Sequence, residues 1–155
     1  MPSIDSLFED LRHPNPRIQE EASLILSEHY QEEALPMLLE LFCHQDPKVY
    51  RAAVKGIGFF GSSAFDPLIE LYATTENQTA RRCCPKAFVQ LFKNFPDQPF
   101  PDSVMEMLEQ GINDTDMVVV KGALMCLGQI GNQHIKTEEA NKQQAKSLRR
   151  ENLSM

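Results

Sequence analysis

The feature that most constrains this chain is a self-similarity with a step of 31 residues. Leu7, Leu11, His13, Pro16, Ile18 and Ala22 return as Leu38, Phe42, His44, Pro47, Val49 and Ala53. A third copy keeps the step, with Lys55-Gly56-Ile57 returning as Lys86-Ala87-Phe88 and Ala53 as Cys84. In a fourth, Asp116, Val119, Ala123, Gly128 and Gly131 match Asp46, Val49, Ala53, Gly58 and Gly61 at a distance of 70, because the third unit carries eight extra residues. A fixed-period echo of this kind specifies a stack of supersecondary units, each covering the apolar face of its neighbour. Such a stack is a surface for holding something rather than an obvious reaction centre.

Each unit reads as two helices. The first helices are expected at 4–12, 33–43, 63–73 and 102–111, where apolar residues recur at helical spacing, as in Leu35, Leu38, Leu39 and Phe42. The second helices are expected at 16–29, 47–60, 78–94 and 116–130. Asn15-Pro16 and Asp46-Pro47 set a capping side chain before a proline at the first helical position, where the missing N–H costs nothing. Gly61 and Gly131 fall where a left-handed residue would end a helix. The fold class is therefore all-α, a right-handed superhelix of four helix pairs. Its units span about 4–31, 32–62, 63–101 and 102–131, followed by a polar tail over 132–155.

Three segments depart from the pattern. Pro85 lies within the third second-helix, where it removes a hydrogen bond and is expected to kink the chain. The insertion Phe95-Pro96-Asp97-Gln98-Pro99-Phe100-Pro101 reads as a stiff connector or as a loop presenting Phe95 or Phe100. The tail is rich in Gln, Lys, Glu and Asn. It is expected either to cap the last unit as a frayed helix or to be mobile.

Charge and cysteine usage narrow the function classes. The net charge is −7, and residues 1–131 hold ten Lys/Arg against nineteen Asp/Glu, which argues against nucleic acid as a partner. The first residues lack a basic and an apolar segment, and no apolar run reaches the roughly 20 residues of a membrane span, so a cytoplasmic protein is expected. Cys83, Cys84 and Cys126 occupy slots that hold Ala or Gly in other units, so they read as small hydrophobes, with no metal or other cofactor expected. No Ser–His–Asp order, phosphate loop or paired-histidine metal motif is present. His13 and His44 are equivalent and sit in the turn between helices, where a capping role fits better than chemistry.

The basic residues are more informative. Arg51, Arg82 and Lys121 are equivalent in repeat register, as are Lys55 and Lys86; positions 51/55 and 82/86 share a helix face. Stacking aligns them as a basic stripe along the second helices. Two readings stand for Arg51, Arg82 and Lys121: a binding surface, or a structural ladder to Asp46, Asn77 or Asp116. Phe59, whose equivalents are Glu28, Gln90 and Gln129, is expected to project as an aromatic anchor, with Tyr50 a lesser example.

His13-Pro14-Asn15-Pro16, the following Glu20-Glu21-Ala22 and the run Val49–Gly61 resemble the short HEAT-like repeats of cyanobacterial phycobilisome-lyase-type proteins. The resemblance covers residues 4–131 and implies that the second helices line the concave face. It carries no catalytic residue over, so enzymatic activity stays undecided. Arg81-Arg82-Cys83-Cys84-Pro85-Lys86-Ala87-Phe88-Val89 is most similar to a subgroup associated with an A-type iron–sulfur carrier. The basic, partly aromatic face of Tyr50, Arg51, Lys55, Phe59, Arg82, Lys86 and Lys121 is read as the docking surface of a non-enzymatic scaffold or chaperone, and the similarity implies such a carrier as its partner. The alternative the family offers is a bilin lyase or lyase subunit that attaches linear tetrapyrroles to phycobiliprotein subunits.

Overall fold

The computed structural model describes residues 1–154. Eight α-helices follow one another among these residues: α1 (Ile4–Leu11), α2 (Pro16–His29), α3 (Gln31–Glu40), α4 (Pro47–Ile57), α5 (Phe65–Thr74), α6 (Gln78–Asn94), α7 (Asp102–Ile112) and α8 (Met117–Ser154). Short 3₁₀ turns at Leu41–Cys43 and Gly61–Ala64 complete the α3 and α5 regions. Odd helices pack on the even helix that follows, and α2, α4, α6 and α8 pack side by side in that order. The result is an α solenoid with no strand among the described residues.

The turn between the two helices of a unit is built alike in all four. His13 Nδ1, His44 Nδ1, Thr75 Oγ1 and Asp114 Oδ1 each accept the backbone N–H two residues on, at 2.9–3.1 Å. The residue so held, Asn15, Asp46, Asn77 or Asp116, then caps the second helix by accepting from Arg17, Lys48, Ala80 or Val118 at 2.9–3.0 Å. Two successive side-chain bonds thus fix where every second helix starts, and the turn role expected of His13 and His44 is the one observed.

The repeated apolar positions form one continuous core. Leu7, Leu38, Phe42, Ala53, Ile57, Cys84, Phe88 and Leu108 are all buried within it. Each large side chain among them contributes on the order of 2 kcal/mol by leaving water. Phe100 closes the core from the insertion: its ring lies 5.2 Å from Phe65, 5.6 Å from Phe88 and 5.9 Å from Phe92. The 95–101 segment is therefore a connector pinned by its second phenylalanine, while Phe95 is 37% exposed.

Two local expectations, both about helix ends, are corrected. The second unit's second helix ends at Ile57 rather than at 60, and the chain reaches Gly61, whose φ of 66° is the only positive value among the described residues, through a short turn. Gly131 does not end a helix; α8 continues through it to Ser154. After Gly131 the chain holds no further glycine or proline but many Gln, Lys, Glu, Ala and Arg, all good helix formers, so nothing stops propagation. The tail, expected either as a frayed helix or as mobile, is an exposed helical extension; its last residue, Met155, lies outside the described residues. α6 runs on through Pro85, whose buried ring sits over Gly122 of α8, where a Cβ would come within 3.2 Å of the proline Cγ.

The glycines of the stack give a direct test of the packing. A Cβ at Gly58 would lie 2.7 Å from Gln90 Cβ, whereas one at its repeat equivalent Gly128 meets nothing within 4 Å. Gly58→Ala is expected to cost about 1–3 kcal/mol through overpacking. Gly128→Ala should gain about 0.5–1 kcal/mol from reduced backbone entropy. Thermal melts should therefore move in opposite directions; a neutral Gly58→Ala would mean that α4 and α6 do not approach this closely.

Candidate functional site

The second helices enclose a groove of about 450 Å³ that crosses α4, α6 and α8. Val54, Val89, Val118, Gly122 and Met125 form its floor, and Tyr50 and Gln90 contribute to its walls. Arg51, Lys55, Lys86 and Lys121 line it as well, all four exposed, and no carboxylate is among the lining residues. None of these four cations makes an ion pair among the described residues. Repeat geometry explains the cations. Arg51 and Lys121 are repeat equivalents, as are Lys55 and Lys86, so stacking sets cation beside cation, whereas the floor residues Val54, Val89 and Val118 come from different register positions.

Five of the seven residues singled out from sequence, Tyr50, Arg51, Lys55, Lys86 and Lys121, meet in this groove. Arg82 and Phe59 do not line it. The Nε–H of Arg82 donates to Asp116 Oδ2 at 2.6 Å, and Gln78 donates to the same oxygen at 3.1 Å. Of the two readings for the register position, the ladder is thus realised at Arg82. At Arg51 the corresponding place in the next unit is Asn77, which is uncharged and engaged in capping Ala80, so Arg51 stays unpaired. Phe59 was expected to project. It is half-buried instead, lining a separate hollow between α2 and α6 together with Glu20, Ser23, Lys93 and Asn94.

Behind the groove the third and fourth units are clamped by a network that periodicity did not signal. Asp114, whose side chain is fully buried, receives Arg81 at 2.6 Å and the Tyr72 hydroxyl at 2.7 Å. The Arg81 guanidinium also lies 5.6 Å from the Tyr72 ring centre. Burial pushes the Asp114 carboxyl up, but donation from the Asp116 N–H, Tyr72 and Arg81 outweighs it and holds the group below the usual carboxylate range. Asp116 is held low chiefly by its hydrogen bond from Arg82. Burial, reinforced by Asp114, pushes the Tyr72 hydroxyl up to about 12.

Three of the four thiols are buried, and Cys43 is exposed. Burial pushes Cys83 and Cys126 up to about 12 and raises Cys84 further, so none is a thiolate near neutrality. The Cys84 thiol donates to the Ala80 carbonyl at 3.3 Å. Among the described residues no three His, Cys, Asp or Glu side chains gather in a way that could hold a metal, and no helix is long and apolar enough to cross a membrane.

A solenoid of stacked helix pairs is the architecture of HEAT-repeat proteins. The family model for HEAT repeats matches residues 4–84, and the chain belongs to that family. It is 45% identical over 118 residues to the bilin biosynthesis protein CpeZ of Synechococcus sp. (strain WH8020), a match covering 76% of this chain and 63% of that protein. It is also 30% identical over 129 residues to the uncharacterized phycocyanin operon protein Z of Pseudanabaena tenuis (strain PCC 7409), covering 83% of this chain and 64% of that one. The chain thus spans less than two thirds of the length of either relative.

Proposed function

We propose that this protein handles linear tetrapyrroles for phycobiliproteins, holding a bilin in the groove across α4, α6 and α8 for delivery to a phycobiliprotein subunit. The reading is that of a bilin lyase or lyase subunit. The observation that carries it is the make-up of the groove: an apolar floor flanked by four unpaired cations and no carboxylate. A bilin is the complementary molecule, a flat conjugated chain of apolar rings bearing two propionates. The rings would lie over Val54, Val89 and Val118, and the propionates would meet Arg51, Lys55, Lys86 and Lys121 by charge-assisted hydrogen bonds. At about 450 Å³ the groove falls within the usual range for small-molecule sites, about 300–1,000 Å³. The name of the Synechococcus relative supports this choice, and no observation favours an iron–sulfur carrier as the partner.

Titration of the purified protein with phycocyanobilin tests the reading. A red-shifted, strengthened long-wavelength absorbance is expected as the chromophore is extended and desolvated. The apparent affinity should fall with added salt, because the propionate contacts are screened. An unchanged bilin spectrum at saturating protein would overturn the proposal.

A further inference from the structure

A second hollow adjoins the groove and is chemically unlike it. It has a volume of about 630 Å³ and lies between the α1–α2 turn and the start of α4. Arg12, His13, His44, Lys48, Arg51 and Lys55 are among its lining residues. Arg12, Lys48, Arg51 and Lys55 make no ion pair among the described residues. The one carboxylate in the lining, Asp46, is engaged at Oδ1 by the Lys48 N–H. Each histidine accepts a backbone N–H at Nδ1, which leaves its proton on Nε2 as a further donor. A chain of net charge −7 thus gathers four cations outside any ion pair, one carboxylate and two imidazole donors in one recess.

We propose that this recess docks an acidic peptide segment of the protein partner, one carrying several closely spaced carboxylates. Four cations and two imidazole N–H donors against the single carboxylate of Asp46 leave a net positive recess that fits an anionic ligand, and the volume exceeds what a single small anion would fill. A nucleic acid is the poorer match: no aromatic side chain other than the two imidazoles lines the recess to stack a base.

The position of Arg51 and Lys55 gives the site a consequence, which rests on the bilin reading of the groove. Both residues line both hollows. Carboxylates arriving in the recess draw on the same two cations that hold the propionates, so each ligand weakens the other, and by equal factors. Docking of the acceptor's acidic segment would then loosen the bilin at the moment of delivery.

The test uses a fluorescein-labelled decaglutamate peptide and anisotropy. Wild-type protein is expected to bind it with an affinity that falls as salt rises. The double variant Arg12→Ala/Lys48→Ala, whose residues lie outside the groove, should bind the peptide about tenfold more weakly or worse. Its circular dichroism and its phycocyanobilin titration should be unchanged. Peptide added to the bilin complex should raise the apparent bilin dissociation constant. Equal peptide affinity in the double variant, equal binding of a decaglutamine control, or tighter binding of an oligothymidylate of matched charge would each overturn the proposal. Peptide binding without bilin binding would sink the groove reading alone, and bilin binding without peptide binding would sink this one alone.

Discussion

Asp114→Ala is expected to lower the stability of the fold by about 3 kcal/mol. The carboxylate is fully buried and accepts from Arg81 and Tyr72, both of which lose their partner when it goes. Removing one member of a buried pair costs roughly 3–5 kcal/mol. Arg81 is 43% exposed and recovers part of that loss from water, which sets the lower end of the range. For a chain of this length the change corresponds to a fall of about 6–12 °C in melting temperature. Asp114→Asn, which keeps an acceptor oxygen, should lose less. A melt of Asp114→Ala within a degree or two of wild type would show that the clamp does not hold the third and fourth units together.

The same carboxylates set the acid limb of stability. Asp114 and Asp116 are both held below the ordinary carboxylate value in the folded state. Their contribution is therefore fully present above the unfolded value near pH 4 and is lost as pH falls through the lower folded values. Asp114→Ala should accordingly flatten the decline in melting temperature below pH 4 relative to wild type.

The second large effect concerns binding. Lys55→Glu/Lys86→Glu is expected to weaken phycocyanobilin binding by on the order of 100-fold, since two favourable charge-assisted contacts become repulsive. Both lysines are exposed and unpaired, so the melting temperature should stay near wild type. Arg82→Glu makes the opposite control. It sets a like charge against Asp116 and should cost stability with little direct effect on the groove, which it does not line. Undiminished bilin affinity in the lysine double variant would reduce the stripe to a solvated face.

The start of every second helix was legible in the repeat to within a residue, because the Asn and Asp caps are local devices whose partners lie two or three positions away. Helix ends were less legible. Gly61 and Gly131 occupy the same register, yet only Gly61 meets packed neighbours, Phe95 and Gln98, that hold the chain in a turn. Helix termination there depends on tertiary surroundings, which a single sequence does not display.

The groove was legible because its cations recur at fixed register and the stack lines them up. The clamp was not, because it breaks register: Arg81 stands where Tyr50 and Val120 stand in other units, and Asp114 where His13, His44 and Thr75 stand. Opposite charges appearing together at two register positions that elsewhere carry neither Arg nor Asp were the available signal. Arg12 and Lys48 were missed for a different reason. They flank turns, and only the folded arrangement shows that they face a common recess.

The clamp is confined to one end of the molecule. Ion pairs between units join the third to the fourth, whereas α4 meets α6 through van der Waals packing and the bond from Asn94 to the Gly58 carbonyl at 3.0 Å. In a stack whose cohesion is a sum of nearest-neighbour terms, the third and fourth units are the pair that charge holds together. The groove crosses both joints. Lys86 and Lys121 therefore stand on units joined by ion pairs, and Tyr50, Arg51 and Lys55 on a unit joined to them by packing and one hydrogen bond.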